Sequence, residues 1–481
     1  MKKTPYFRIA CCLSGLSYCM LPLLANADPV FGTVTPNVND TYIHSQSYLQ
    51  NPFLGQPSGG GTQFVAESQL ATDGLMKTLF SDGTWNVQGF GGLVQNTNGP
   101  AMYSLSSTLF GQTGAIGGFS FGGAFTLANP VLTPGINPPR SSSSSMPTLT
   151  SDQQYVPTEA YVEYQYSHIV QADAGWIGIT NSPFLASNYY DNQSTGVNYQ
   201  GVSVNVNPMR GWLFTAIGFN AAQYAGQNGF NSATLYNTAN IYGIGNSYYF
   251  NGGDDPTFAV GSSYYTPDNN YNLRVWAYDL KNKAQLVYAD NSLKLPIAEK
   301  TYFTLAAQGG FERGNNMVTV ATNQSQDINS NFVGAQAGFR HNWFGISAGY
   351  NNVWGPDNAF GGGALVSPYT FNENVDPLYT NSWMTGFVQK GSAGEAFIVS
   401  PAFYFLDDNL SFTPSYSVSN STNAPSSQEY DFIATYNIPQ IKGLKIFGMY
   451  GYQTMPTTAP ITGNGNTDYA WTTWLVTSYL Y

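Results

Sequence analysis

Charge is what this chain has least of. Lys, Arg, Asp and Glu supply 9% of its 481 residues, against about 25% in a typical soluble domain, which argues against an ordinary cytoplasmic enzyme. Basic residues are the scarcer sign, 16 against 27 acidic ones. With no basic stripe to replace phosphate counterions, nucleic acid is excluded as a partner. Histidine occurs only as His44, His168 and His341, scattered without metal-ligand spacing, so neither a metal nor another cofactor is expected. No run of about 18 apolar residues occurs beyond the N-terminus, which excludes a helical membrane protein. Cysteine is confined to Cys11, Cys12 and Cys19.

Those three cysteines belong to a recognisable leader. Lys2, Lys3 and Arg8 precede the apolar stretch IACCLSGLSYCMLPLLANA, and Ala25-Asn26-Ala27 fits the small-x-small cleavage pattern of a secretory signal. The expected division is a signal peptide over 1–27 and one domain over 28–481. Removing the leader leaves 13 basic against 27 acidic residues, a net charge of −14, and no possible disulfide. Solute partners should then be neutral or cationic.

Glycine and aromatics are abundant where charge is missing: Gly 51, Tyr 35, Phe 30 and Trp 9. Their arrangement has period two. Val333, Ala335, Ala337 and Phe339 alternate with Gly334, Gln336, Gly338 and Arg340. After His341-Asn342-Trp343, the residues Phe344, Ile346, Ala348 and Tyr350 alternate with Gly345, Ser347 and Gly349, so the two segments read as a tight hairpin. Similar segments include 84–94, 102–110, 116–127, 160–170, 213–221, 258–265, 302–310, 396–405, 444–452 and 471–481. At about 25 residues per strand and loop, the chain holds roughly 16 to 20 strands, each near the 9 to 11 residues of a transmembrane β-strand. A lipid-exposed sheet edge would leave backbone groups unsatisfied, so the sheet must close. The fold class is therefore all-β, a transmembrane antiparallel barrel with long extracellular and inward-folded loops.

Long connections are expected over 129–154, 187–200, 225–240, 315–330 and 353–380. Tyr248-Tyr249, Tyr264-Tyr265, Trp343 and Tyr379 read as interface aromatics. Trp471, Leu475, Tyr479 and Tyr481 share one alternating face of the last strand, the kind of aromatic terminus taken to be read by the barrel assembly machinery. Outer-membrane lipid and lipopolysaccharide are the expected surroundings.

Three stretches resemble the OprD-type outer-membrane porins. Residues 169–219 carry NSPF followed by a Y-x-G-V strand. Residues 258–309 contain WAYD and then a short strand, AQLVYAD. Residues 332–387 join two alternating strands to NAFGGGALVSPYTFNENVDPLYTNSW. The resemblance implies an 18-stranded monomeric barrel, narrowed by inward loops, that passes small solutes by passive, substrate-selective diffusion. Association as a weak trimer stays open. It also implies a basic ladder facing acidic residues across the channel, for carboxylate substrates. This chain departs from that pattern, because the mature part has only five arginines and eight lysines.

Candidate channel-lining or selectivity residues follow from the alternation. Arg274 shares a face with Trp276 and Tyr278, Arg340 with Gln336, and Glu163 with Tyr161 and Gln165. Glu373 and Asp376 in the long loop are the candidate acidic constriction. Asp279 and Asp290 read as strand-end caps. Catalysis has no supporting motif: no G-x-S-x-G elbow and no phosphate-binding glycine loop are present, and Ser167 and His168, being adjacent on a strand, face opposite ways. The chain is therefore expected not to be an enzyme. The alternative reading is an adhesin or structural barrel without an open channel.

Overall fold

The computed structural model describes residues 84–480, apart from 97–101, 132–152, 187–195, 235–247, 251–255, 320–323, 371–376, 383–390, 455–468 and several stretches of one or two residues. The leader and both Glu373 and Asp376 lie outside the described residues.

The strands in chain order are β1 (Thr84–Asn96), β2 (Met102–Gln112), β3 (Phe119–Pro130), β4 (Gln154–Tyr166), β5 (Val170–Ile177), β6 (Asn198–Val206), β7 (Trp212–Gln223), β8 (Tyr248–Phe250), β9 (Thr257–Tyr265), β10 (Tyr271–Leu280), β11 (Ala284–Ala298), β12 (Thr301–Thr319), β13 (Gln324–His341), β14 (Phe344–Trp354), β15 (Gly394–Phe405), β16 (Leu410–Ser421), β17 (Ser427–Asn437), β18 (Leu444–Thr454) and β19 (Tyr469–Leu480). Each pairs antiparallel with its neighbour, and β1 closes on β19. β7 pairs directly with β9, while the three-residue β8 adds to the far end of β12. The result is a closed 18-stranded barrel with one short extra strand.

Alternation explains why this sheet closes in this register. Outward positions carry Phe121, Phe125, Val162, Val260, Val275, Val333, Phe432 and Leu475, all exposed. Inward positions carry Ser120, Glu163, Arg274, Ser347 and Asp431, all buried. A one-residue slip would exchange the two faces and set Arg274 against lipid, at about 2–4 kcal/mol at mid-bilayer.

The two ends of the barrel differ. Connections at the end holding both described chain termini are short, such as 299–300, 342–343 and 406–409; at the other end they reach 131–153, 178–197, 224–256 and 355–393. Such asymmetry marks periplasmic turns and extracellular loops. The Asn342-Trp343 turn is tighter than expected, since His341 pairs with Phe344 and Asn342 takes the positive φ of 49° that asparagine tolerates. The polar stretch 315–330 is not a plain loop: β12 and β13 run 19 and 18 residues and absorb most of it. Their paired backbones satisfy each other there, so polar side chains do not break the ladder.

Candidate functional site

Three segments from two loops turn into the barrel and pack on its wall. Ser182–Ala186, from the connection after β5, is fully buried, as are Ala364–Thr370 and Pro377–Ser382 from the connection after β14. Phe184 meets Tyr278 and Tyr288 edge-on at centroid distances of 5.6 and 5.4 Å. Phe184, Leu365, Val366 and Tyr369 form one apolar cluster with Trp276, Tyr278, Tyr288 and Phe332 of the wall. Polar contacts lock these surfaces together. The Ser182 and Tyr278 hydroxyls lie 2.9 Å apart, Tyr199 donates to the Ala186 carbonyl at 2.9 Å, and Tyr369 and Thr257 share a 2.7 Å hydroxyl contact. Gly261 makes room for this wall, because a Cβ there would sit 2.4 Å from the Trp276 ring.

Arg274, Trp276 and Tyr278 all face inward, as the alternation predicts, and all are buried. Arg274 is not a free cation. Register sets it opposite Asp290 on β11, and its guanidinium grips that carboxylate bidentately, with Nε donating to Oδ1 at 2.8 Å. Asp290 is therefore an inward mid-strand counter-ion and not a strand-end cap, whereas Asp279 lies exposed near the loop-side end of β10. The pair extends into a relay. Tyr288 donates to Asp290 Oδ2 at 3.1 Å. The Gln308 carboxamide satisfies both sets of neighbours when Nε2 donates to Tyr288 Oη at 3.1 Å and the Pro377 carbonyl at 2.8 Å, and Oε1 accepts from Asn351 Nδ2 and the Tyr379 amide at 2.8 Å each. Asn351 Oδ1 accepts from the Thr380 amide at 3.1 Å and its hydroxyl at 3.3 Å. Tyr379, expected among the interface aromatics, instead lies buried in this inward segment and donates to the Ala307 carbonyl at 3.2 Å.

Arg340 and Gln336 share an inward face, and Arg340 sits at its periplasmic end. Its Nη2 donates to Asp408 Oδ1 at 2.7 Å, Nε donates to the Asn342 carbonyl at 3.3 Å, and the guanidinium stacks 3.9 Å over Tyr404. Lys300 reaches Asp408 Oδ2 at 3.1 Å. These contacts clasp a turn in which Leu406, Asp407 and Asp408 all have positive φ, a conformation costly for non-glycine residues. The structure thus separates the two proposed ladder arginines into a wall pair and a turn clasp.

Glu163 faces inward on β4 directly opposite Asp173 on β5. Gln112 Nε2 donates to Glu163 Oε1 at 2.8 Å, and Gln171 Nε2 donates to Glu163 Oε2 at 2.9 Å and Asp173 Oδ2 at 3.3 Å. Further round the wall, Glu429 accepts from Ser382 at 2.9 Å and Gln453 at 3.1 Å. Buried ionisable groups among the described residues are Glu159, Glu163, Asp173, Asp290, Glu312, Glu429 and Asp431 against Arg274, Lys283 and Arg340. The interior is acidic, and Ser347, Ser400, Ser411, Ser417 and Thr435 add buried hydroxyls on β14–β17. No group of three or more His, Cys, Asp or Glu able to hold a metal occurs among the described residues.

No family model and no curated protein matches the sequence. Solved structures do match the fold. OccAB3 of Acinetobacter baumannii aligns with TM-score 0.64 at 14% identity, covering 84% of this chain and 100% of that one. OccK2 (OpdF) of Pseudomonas aeruginosa, solved with glucuronate, gives 0.60 at 14%, covering 84% and 98%. OpdK of the same organism, solved with vanillate, gives 0.61 at 13%, covering 84% and 99%. Closed barrels with an apolar exterior are the outer-membrane answer to unsatisfied backbone groups, and this chain is an outer-membrane β-barrel with the 18-stranded fold of the OprD-type porins.

Proposed function

We propose that this protein is a porin through which small polar solutes diffuse passively and selectively into the periplasm, and that it is not an enzyme. The observation that carries the reading is the polar inner wall. Inward loops cover part of it with apolar contacts, and buried hydroxyls and an excess of carboxylates line the inner face, which suits hydrated neutral or cationic solutes. The bound solutes of the similar structures, glucuronate and vanillate, are carboxylates. The acidic interior and the neutralised Arg274 favour a different preference here. In this reading Glu163 lines the path, Glu373 and Asp376 form its acidic constriction, Gln336 faces the water, and Arg274 with Trp276 and Tyr278 shapes the wall.

The leader over 1–27 directs export of a single domain over 28–481, and the terminal strand β19 engages the assembly machinery. Lipid and lipopolysaccharide surround the exposed aromatic belt, and the barrel works as a monomer or weak trimer. Planar-bilayer recording of the purified protein tests the proposal. Discrete openings that small polar solutes interrupt are expected. A sealed barrel would overturn the channel reading and leave an adhesin or scaffold.

A further inference from the structure

We infer that the outward face of β11–β13 binds a phosphate of an outer-leaflet glycolipid headgroup at its extracellular edge, with Arg313 holding the anion and Gln285 and Asn329 beside it. The inference rests on the outer-membrane placement of the barrel and its lipid surroundings, not on whether the barrel conducts.

Alternation sets Arg313 on the lipid side. On β12 it continues the outward series of the exposed Phe303, Leu305 and Phe311, while its neighbour Glu312 is fully buried on the inner face. Phe303 to Phe311 spans about nine residues, the length of strand that crosses a bilayer, so Arg313 is the first outward side chain of β12 beyond the apolar belt. Neighbouring strands make the same change. The outward series passes from Val333 to Asn331 and Asn329 on β13, from Tyr350 to Asn352 on β14, and from Val287 to Gln285 on β11. A lipid-facing arginine is costly at mid-bilayer and costs little at the interface, which agrees with this level.

The guanidinium is held in place by neutral groups alone. Nη1 donates to the backbone carbonyls of Glu312 at 2.8 Å and Ser330 at 2.6 Å, Nη2 donates to Asn331 Oδ1 at 2.7 Å, and the group lies 5.4 Å from the Phe311 ring. Cross-strand register explains the missing counter-ion. Arg274 faces Asp290, whereas Arg313 faces Gln285 on β11 and Asn329 on β13. Ion pairs among the described residues are made by Arg274, Lys300 and Arg340. The outward acids Asp279, two strands away at about 10 Å, and Asp327, further along β13, make no ion pair with Arg313.

A fixed, exposed cation without a counter-ion therefore sits directly above an apolar belt. Its Nε and the second Nη2 hydrogen have no partner among the described residues and form the edge by which Arg274 grips Asp290. A phosphate fits that edge with two charge-assisted hydrogen bonds. The flanking carboxamides offer donors and acceptors to sugar hydroxyls, and Phe311 and Val333 below meet acyl chains. Phosphate, sugar and acyl chain at those heights describe a phosphorylated glycolipid.

Native mass spectrometry of the protein folded in detergent tests this. Bisphosphorylated lipid A should bind at least tenfold more tightly than the same lipid stripped of both phosphates. Arg313→Gln should remove that preference, a loss of about tenfold or more for charge-assisted hydrogen bonds, and Arg313→Lys, which keeps the charge without the fork, should keep only part of it. Lys300→Gln, at a periplasmic turn, removes the same charge and should leave the preference intact. Heat-modifiable gel migration verifies that each variant is folded. Millimolar inorganic phosphate should not displace the lipid; displacement would show a free-anion site and overturn the headgroup assignment. Equal affinity for the two lipids, or a preference that survives Arg313→Gln or is undiminished in Arg313→Lys, would overturn the site. A barrel that is sealed in planar bilayers would overturn the porin reading and leave these binding results standing.

Discussion

Replacing Asp290 by asparagine isolates the buried ion pair of the wall. Arg274 and Asp290 are 4% and 5% exposed, so water screens them little. At about 4 Å between charge centres and an effective dielectric of 20, their attraction is about 4 kcal/mol. Removing one partner from a buried pair typically costs about 3–5 kcal/mol, because the other charge is left without compensation. Asp290→Asn should therefore lower barrel stability by about 3 kcal/mol and loosen Tyr288, whose hydroxyl donates to Asp290 at 3.1 Å. Arg274→Met alone should cost a similar amount through the stranded carboxylate. The double variant should recover part of the loss, since neither side chain then leaves an uncompensated buried charge. Urea unfolding in detergent, followed by tryptophan fluorescence, measures all three. Reversal potentials under a salt gradient give a second reading. Arg274→Met should shift selectivity toward cations, while the double variant should return to the parent value because the pair is neutral as a unit. A single variant as stable as the parent, or a double variant less stable than both singles, would refute the buried-pair argument.

Further consequences are open to direct measurement. Asn351→Ala removes the acceptor of both Thr380 bonds and should free the inward segment 377–382, seen as larger or flickering single-channel conductance. Gly261→Ala places a Cβ 2.4 Å from the Trp276 ring and should cost about 1–3 kcal/mol by overpacking, read as a lower urea midpoint. Leu406→Asn should stabilise the barrel by about 1 kcal/mol, because asparagine tolerates the left-handed backbone that leucine resists and Leu406 is exposed. The Asp268 carboxylate is held below its ordinary value of 3.8, first by the Thr266 hydroxyl and then by the Asn270 amide. Its contribution is present above that ordinary value and lost as pH falls through the lower folded value. Asp268→Asn should therefore differ from the parent in stability at pH 7 and match it at pH 2.

Much of the barrel was legible because its two surfaces meet different solvents. Lipid outside and polar contacts inside force a period of two, and that period puts Arg274, Gln336, Arg340 and Glu163 on the inner face. The counter-ions were less visible, although their signal was present. With the hairpin centred on Asn282, Arg274 must face Asp290, and with the next one centred on His168, Glu163 must face Asp173. Reading strands singly, without folding each hairpin about its turn, left Asp290 as a cap and Asp173 unnoticed. Gln308 and Asn351 had no such local signal, because their loop partners Pro377, Tyr379 and Thr380 lie 29 to 71 residues away, and Phe184 is a loop residue whose strand partners Tyr278 and Tyr288 lie 94 and 104 residues on.

That difference bears on selectivity. A count of basic residues suggested that no long ladder could exist, and the geometry gives the stronger reason. Of the two arginines that face inward among the described residues, Arg274 is neutralised by a cross-strand carboxylate and Arg340 is spent on holding a strained turn. Paired charges contribute little net field, so the potential of the interior is set by the acids that face no arginine, Asp173 among them. A solute carrying a carboxylate would meet repulsion along that wall, and one carrying positive charge would meet attraction. The same alternation that makes the barrel therefore sets the sign of what it passes, through which residue each turn places opposite which.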